Sequence, residues 1–194
     1  MANKEIQIKI LREAEKQFSA FGFWGASLSG IANKVGLTKQ GVLHYYPSKE
    51  QLYDAVLVSA IETLLSGLAQ YRRKYDNPRA VLKHLFTDMI DGQGRQLRVI
   101  ILLFRELLDN REREANAKRW YLKPYLDELA KLTVQADIKG FNNPVDAFGL
   151  VYDLIGATQY LLISDTALSE MFLEEQVSAF KDLQRQKITH LFDG

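Results

Sequence analysis

The chain has 194 residues, a formal net charge of +1 and no cysteine, and 47% of its residues are hydrophobic. This length suits one compact unit or two small domains, and the hydrophobic fraction is ordinary for a folded protein rather than a disordered one. The absence of cysteine excludes disulfides, thiolate zinc sites and a cysteine nucleophile, and it agrees with a reducing cytoplasm.

The N-terminal segment scatters charged residues among its apolar ones. A secretory signal peptide needs an unbroken apolar core, which residues 1–18 lack. The longest apolar runs of the chain, near 99–104 and 160–163, fall well short of the roughly 18 residues of a membrane span. We therefore expect a soluble cytoplasmic protein without membrane contact.

Helical periodicity runs through most of the chain, without a convincing alternation of the kind that strands show. A first amphipathic helix ends at Gly22. Ser27 then caps a short second helix that ends at Gly36, and a third helix follows over 39–45. The third helix stops there because the residue before a proline, here Pro47, avoids helical backbone angles.

Six more helices are predicted in the rest of the chain. Ser48 starts a long one that reaches about Lys74, because Gln51 at its third position completes a capping box. The others extend from Pro78 to a break at Gly92 and Gly94, over 97–108, over 111–138 with a bend at Pro124, over 145–163 and over 168–192. The sequence therefore predicts an all-α fold of about nine helices.

The charged residues are unevenly distributed. No acidic residue occurs between Lys16 and Lys49, a stretch that also contains Lys34 and Lys39. Residues 1–49 contain seven lysines and arginines against three glutamates, a net charge of +4, which leaves −3 for the rest of the chain. Short acid-free stretches arise by chance, but a basic segment on an otherwise acidic protein is typical of a module that contacts phosphates.

The segment from Leu28 to Tyr46 has the spacing of a helix-turn-helix. Ala32 lies four residues before Gly36 and ten before Val42. A small residue lets two helices cross closely, a glycine takes the left-handed turn, and an apolar residue anchors the second helix in the core. The second helix can then lie in a major groove. Helical hairpins in proteins that bind no DNA can match this spacing too.

Two lysines occupy unfavourable helix positions. Lys39 and Lys49 each stand at the first position of a predicted helix. The helix dipole disfavours a cation there by roughly a few tenths of a kcal/mol. A bound DNA phosphate would reverse the sign of that interaction, because helix N-termini bind anions. The alternative is a pair of solvated surface lysines, and the acid-free stretch favours phosphate binding.

The residues from 27 to 50 resemble the DNA-binding signature of the TetR family of bacterial transcriptional regulators. The matching segments are SLSGIA at 27–32 and GLTKQGVLHYYPSKE at 36–50, in which YYPSKE is the most specific part. The close pattern covers about residues 8–56. The resemblance implies a helix-turn-helix DNA-binding domain over 1–47 and a helical ligand-binding and dimerisation domain over 48–194.

The resemblance also implies individual roles in DNA binding. Leu43 and His44 would face the bases, and Gly41 would let the backbone approach the DNA closely. Many family members carry an aromatic residue where Leu43 stands, and a leucine can touch a thymine methyl but cannot hydrogen-bond. Val42 and Tyr46 would be core residues. The other expected DNA contacts are Ser27 and Ser29 on phosphates, Thr38, Lys39 and Gln40 at the start of the recognition helix, and Tyr45 and Lys49 on phosphates.

The last two predicted helices are expected to form a homodimer interface. One short recognition helix reads only a few base pairs, so useful specificity requires two subunits on a palindromic operator. In the family these helices pair between subunits as a four-helix bundle. The alternative is an internal helical core in a monomer. The expected contacts are Val145, Phe148, Tyr152, Gly156 and Gln159 on one helix and Phe172, Val177, Phe180, Leu183, Ile188 and Leu191 on the other.

The middle helices are expected to hold a pocket for a small, largely apolar effector. The resemblance implies that the effector changes the spacing of the two recognition helices and releases the DNA. For any single residue, ordinary core packing is the alternative to ligand contact. The candidates are Phe104, Leu107, Leu108, Trp120, Tyr121, Tyr125, Phe148 and Tyr152 as lining, with Asp153 and Gln159 as polar partners.

Other functions have less support in the residues. His44, His84 and His190 show no metal-ligand spacing, and no glycine-rich phosphate loop or nucleophile elbow is visible. We therefore expect no enzyme activity, metal or cofactor. A DNA-binding protein of the same fold that is controlled by a protein partner, or that acts architecturally, stays open as an alternative. Repression is the commoner outcome in the family, and the residues do not distinguish it from activation.

Overall fold

A computed structural model describes residues 2–92, 95–109 and 121–194 of the chain. Within those ranges the secondary structure consists of nine α-helices, and no strand is present there. In chain order the helices are α1 (Ala2–Gly25), α2 (Leu28–Val35), α3 (Lys39–Tyr45), α4 (Lys49–Lys74), α5 (Pro78–Met89), α6 (Arg95–Asp109), α7 (Lys123–Gln135), α8 (Pro144–Met171) and α9 (Glu174–Asp193). The predicted all-α fold is confirmed.

Side-chain caps explain where the short helices begin and end. Ser27 accepts a hydrogen bond from the Gly30 N–H at 3.0 Å, and Thr38 accepts one from the Gly41 N–H at 3.0 Å. Gly36 ends α2 with a left-handed φ of 73°. These residues satisfy backbone groups that helix ends leave unpaired, and they lie where the sequence predicted them.

Gly22 interrupts α1, as predicted, but the helix resumes and continues to Gly25. Its φ of 71° and ψ of 178° are not helical. Because residues with a Cβ rarely adopt a positive φ, a glycine allows the chain to change direction here.

The predicted bend at Pro124 was wrong. Pro124 lies in the first turn of α7 rather than inside a longer helix. A proline is well tolerated there, because the N–H that it lacks would have no partner within the helix. Residues 111–120 of the predicted helix lie outside the described part of the chain.

The predicted break between the last two helices was also misplaced. The chain remains helical through 164–167, and the Ser164 hydroxyl donates a hydrogen bond to a carbonyl one turn earlier at 2.7 Å. The turn comes instead at Phe172 and Leu173, whose backbone is extended. A serine that bonds to its own helix gives no stop signal, so the helix continues past residue 163.

The described residues form two compact units. The first contains α1 to α3, α4 up to Glu62, and α6. The second contains α4 from Thr63, together with α5 and α7 to α9. These units are defined by packing, whereas the predicted boundary after residue 47 separates a DNA-binding domain from a ligand-binding and dimerisation domain. That boundary stays a prediction.

The core of the first unit forms around α1. Three apolar side chains of this helix are completely buried: Ile10, Ala14 and Phe18. Buried apolar residues of the other helices complete this core, among them Ile31, Ala32, Val42, Leu52, Val56, Val99 and Leu102. The first helix is therefore amphipathic, as predicted, but Phe21 near its end is 59% exposed.

A buried carboxylate ties α1 to α6 within the first unit. The Glu15 side chain is only 4% exposed, and Arg95 Nε donates to it at 3.0 Å. Arg98 Nε lies 3.5 Å from the other carboxylate oxygen. Further along α6, Arg105 donates to the Ala20 carbonyl at 3.2 Å. A buried charge is tolerated only when it is paired, so these arginines stabilise the packing of α6 on α1.

The second unit has its own core, formed by α5 and α7 to α9. The rings of Phe86 and Phe192 stack with their centroids 6.4 Å apart. Arg79 donates two hydrogen bonds to the carbonyls of Ala136 and Asp137, at 2.8 and 2.6 Å, and so holds the end of α7.

Two helices of the described chain, α4 and α8, are long and apolar enough to cross a membrane by length and composition alone. Of their most hydrophobic windows, 39% and 44% is buried inside the fold. Core helices of soluble proteins pass the same test, so one or two such helices are weak evidence for membrane insertion.

We expect Gly36→Ala to lower the free energy of unfolding by about 1 kcal/mol or more, because a left-handed residue with a Cβ is strained. A Cβ at this position meets no atom within 4 Å, so the loss would come from the backbone alone. Gly67→Ala is the control, since Gly67 is helical and equally open. It should raise stability by up to about 1 kcal/mol. Urea unfolding followed by circular dichroism measures both, and an equal effect of the two changes would contradict this account.

Candidate nucleic-acid interface

Helices α2 and α3 are held together by buried side chains. Ala32 on α2 and Val42 on α3 are both completely buried, as predicted. The Leu37 N–H donates to the Ala32 carbonyl at 2.9 Å and closes the turn around Gly36. Because Val42 faces the core, the opposite face of α3 is turned towards solvent.

The solvent face of α3 carries most of the residues expected to contact DNA. Lys39, Gln40 and His44 are exposed, and Leu43 and Tyr45 are half-buried. The His44 ring meets the Tyr45 ring edge-on, with centroids 5.4 Å apart. The face therefore offers a cation, an amide and an imidazole beside an apolar residue, which are side chains that can bind phosphates and base edges.

Tyr46 was expected in the core, and the structure places it half-buried at the end of α3. Its burial raises the pKa of the phenol above the usual value of 10.0. Tyr46 thus stays a neutral hydrogen-bond donor at physiological pH.

The first turn of α2 carries the two serines expected to meet phosphates. Ser27 and Ser29 are both exposed. The Ser27 oxygen already accepts the Gly30 N–H, but its hydroxyl hydrogen can still be donated to an anion. A Cβ at Gly30 would approach the Ser27 oxygen to 3.0 Å, so the glycine at 30 leaves room for the cap.

Gly41 is not required by the packing of α3. A Cβ at this position would meet Leu37 and Thr38 at 3.5 Å, which is ordinary van der Waals contact. The expected role of Gly41 in a close approach to DNA therefore stays a prediction.

Lys39 and Lys49 occupy the first positions of α3 and α4, as predicted. Lys49 is half-buried, and its Nζ lies 4.7 Å from the centroid of the Phe23 ring. Burial lowers the pKa of Lys49 from its usual 10.5, and the neighbouring Glu50 partly opposes this. The ammonium therefore lies over an aromatic face at the N-terminus of α4. An anion bound there would be attracted by both the ammonium and the helix N-terminus.

Phe23 and Trp24 were not predicted to matter for the site, although two aromatic residues directly after a glycine are a visible signal. Phe23 is buried against Tyr53 and Phe18, with ring centroids 5.2 and 6.3 Å away. Trp24 is 77% exposed and packs edge-on against Phe23 at 5.1 Å. These contacts set the position of the residues just before α2.

The residues expected to line an effector pocket fall into both compact units. Phe104, Leu107, Leu108 and Tyr121 belong to the first unit, Tyr125, Phe148, Tyr152, Asp153 and Gln159 belong to the second, and Trp120 lies outside the described residues. Tyr125 and Gln159 are buried, and burial raises the pKa of the Tyr125 phenol. Leu107 and Leu108 are exposed.

The outer faces of α8 and α9 carry an exposed apolar surface, which we call the α8–α9 stripe. It consists of Val145, Phe148, Tyr152, Tyr160 and Ile163 on α8, with the small Gly149, Gly156 and Ala157 among them, and of Phe180 and Leu183 on α9. The rings of Phe148 and Tyr152 stack at 6.1 Å. This stripe resembles the expected dimer face.

Three residues expected on that dimer face lie elsewhere. Gln159, Val177 and Ile188 are buried within the second unit, with exposures of 5%, 8% and 5%. They lie on the inward sides of α8 and α9, in the core of the second unit.

The fold and the exposed face of α3 define a helix-turn-helix protein of the all-α class. Residues 10–56 match the family model described as bacterial regulatory proteins of the tetR family. The regulator RutR of Escherichia coli K12 is 30% identical over 151 residues, which cover 78% of this chain and 71% of RutR. The chain therefore belongs to the TetR family of DNA-binding transcriptional regulators.

Other relatives extend the comparison. The transcriptional activator FasR of Mycolicibacterium smegmatis is 32% identical over 94 residues, 46% of this chain and 43% of FasR. A TetR-family regulator from Rhodococcus sp. shares the fold with a TM-score of 0.73 at 14% identity, covering 97% of this chain and 99% of that one. AibR, solved with isovaleryl coenzyme A and operator DNA, has a TM-score of 0.61 at 25% identity, covering 81% of this chain and 85% of AibR.

Proposed function

We propose that the protein is a homodimeric, cytoplasmic repressor that binds a palindromic operator and is released from it by a small, largely apolar effector. The DNA-binding part of this proposal is supported mainly by the solvent face of α3. This face is exposed because Val42 on the opposite side is buried, and lysines begin both α3 and α4, at 39 and 49. Within this proposal Gln40, Leu43 and His44 meet base edges. Phosphate contacts come from Ser27, Ser29, Thr38, Lys39, Tyr45 and Lys49, and Gly41 allows the backbone to approach.

We expect selection from random duplex DNA to recover a palindrome, because two identical subunits read two half-sites. With that duplex, Lys39→Ala and Lys49→Ala should each weaken binding. Each should also reduce the magnitude of the slope of log affinity against log salt by about two, because one phosphate in each half-site is no longer neutralised. Lys139→Ala is the matched control, since Lys139 is an exposed lysine of the second unit. If no sequence is enriched and both lysine variants bind DNA like wild type, the proposed operator binding is wrong.

The homodimer is supported by the α8–α9 stripe. A row of exposed apolar side chains on two successive helices is typical of protein–protein interfaces. The small residues on α8 permit close approach of another helix. The charged residues of α9 lie mostly in pairs away from it, as Arg185 does with Asp91 and Asp182.

We expect Phe180→Glu to raise the dimer dissociation constant at least 100-fold, because each dimer would bury two unpaired carboxylates at a cost of about 3 kcal/mol or more. Phe180 is 43% exposed, so the variant monomer should fold. Ile8→Glu is the control at 40% exposure on α1, and it should remain dimeric. Sedimentation velocity at micromolar concentration distinguishes these states, and a monomeric wild-type protein would refute the interface.

For the effector site we propose Tyr125 and Gln159 as ligand contacts in the second unit. Both are polar side chains buried among apolar residues, with exposures of 2% and 5%. Sites of this composition bind mostly apolar molecules and orient them with a few polar groups. AibR, with its isovaleryl coenzyme A, provides a related case of a branched acyl ligand. The other residues expected to line the pocket remain predictions.

We expect native mass spectrometry of the purified protein to detect a bound small molecule, and titration of that molecule to release the selected duplex. Gln159→Leu should raise the concentration required by about tenfold, because the proposed hydrogen bond to the small molecule is removed. Gln135→Leu, at an exposed position of α7, should not. If neither the protein nor fractionated cell extract yields a small molecule that releases DNA, control by a protein partner becomes the better explanation.

A further inference from the structure

Trp24 is an exposed aromatic residue whose position is set by the fold. Its side chain is 77% exposed, yet its ring meets the Phe23 ring edge-on, 5.1 Å away and at 83°. The unusual backbone at Gly22 redirects the chain just before this pair, so that Phe23 is buried and Trp24 is not. A tryptophan that is packed on one edge but exposed to water presents a large amphipathic surface. Such residues are typical of interaction sites.

The ring of Phe23 also joins Trp24 to Lys49. The Lys49 Nζ lies 4.7 Å from the centroid of that ring. The ammonium and the indole therefore lie against the same side chain. The distance from the Lys49 Nζ to the Trp24 ring centroid cannot exceed the sum of their distances to the Phe23 centroid. Ser27, three residues after Trp24, caps the first turn of α2. The indole ring of Trp24 and the Lys49 ammonium thus both lie against Phe23, and Trp24 stands three residues before the N-cap of α2.

We propose that Trp24 binds the DNA backbone beside the phosphate assigned to Lys49. Its indole Nε1–H donates a hydrogen bond to a phosphate oxygen, and its ring packs against the adjoining deoxyribose. This inference rests on the proposed DNA-binding function. The chemistry is matched, because an indole N–H only donates and a phosphate oxygen only accepts. Backbone contacts of this kind position a protein on the duplex without reading its sequence.

Fluorescence tests the contact directly, because the chain has two tryptophans, Trp24 and Trp120. In a Trp120→Phe background all tryptophan emission comes from Trp24. Saturation with the selected duplex should shift this emission to shorter wavelength and reduce its quenching by acrylamide. A Trp24→Phe protein reports the contribution of Trp120. Unchanged emission and quenching of Trp24 on saturated DNA would overturn the inference.

Binding measurements separate the indole from the charge beside it. Trp24→Phe keeps a ring but removes the N–H, and it should raise the dissociation constant about tenfold. The salt slope should not change, since no cation is removed, whereas Lys49→Ala should lower its magnitude by about two, one phosphate in each half-site. Phe21→Leu is the control, because Phe21 is another exposed aromatic residue of α1, at 59% exposure, and it precedes Gly22 in sequence. An equal reduction of affinity in both aromatic variants would show that Trp24 makes no specific interaction with DNA.

The outcomes also distinguish this inference from the function on which it rests. If the lysine variants bind more weakly while Trp24→Phe binds like wild type, the DNA-binding proposal stands and the interaction of Trp24 with the backbone does not exist. If wild type binds no duplex at any salt concentration, both are wrong. A lower salt slope for Trp24→Phe would mean that the change displaces Lys49, and it would overturn the direct interaction.

Discussion

Burial of Val42 and Ala32 is the constraint on which the helix-turn-helix depends. Helices of eight and seven residues are too short to be stable alone in water. Their conformation therefore comes from packing, from the caps at Ser27 and Thr38 and from the left-handed turn at Gly36. Because Val42 fixes one side of α3 against the core, the polar side of α3 has a fixed orientation relative to the first unit. Recognition of a DNA groove requires such a fixed orientation.

The aromatic residues at the end of α1 extend this constraint to the lysine at the start of α4. Phe18, Tyr53 and Phe23 connect the core to the surface through a series of ring contacts. Lys49 lies over the last of these rings. The ring gives the ammonium a favourable position, and a cation that already occupies one position gives up less conformational entropy on binding than a flexible surface lysine.

The sequence predicted those parts of the fold that local chemistry determines. The caps at Ser27 and Thr38, the turn at Gly36 and the inward Val42 all follow from spacings of a few residues. Prediction was wrong where a residue type has two local uses, as for Pro124, and where a helix continues through residues expected to separate two helices, as at 164–167. The grouping of α6 with the DNA-binding helices was not foreseen, because pairing of Glu15 with Arg95 across 80 positions leaves no local pattern.

That ion pair has a consequence for how the protein is made. The first compact unit is not contiguous in sequence, since α6 joins it only after the second unit has begun. A nascent chain that has released α1 to α4 holds Glu15 without its arginines and leaves the surface for Val99 and Leu102 uncovered. Completion of the first unit therefore waits until α6 has been synthesised, and a product that ends before α6 would lack the arginine partners of Glu15 and part of this core.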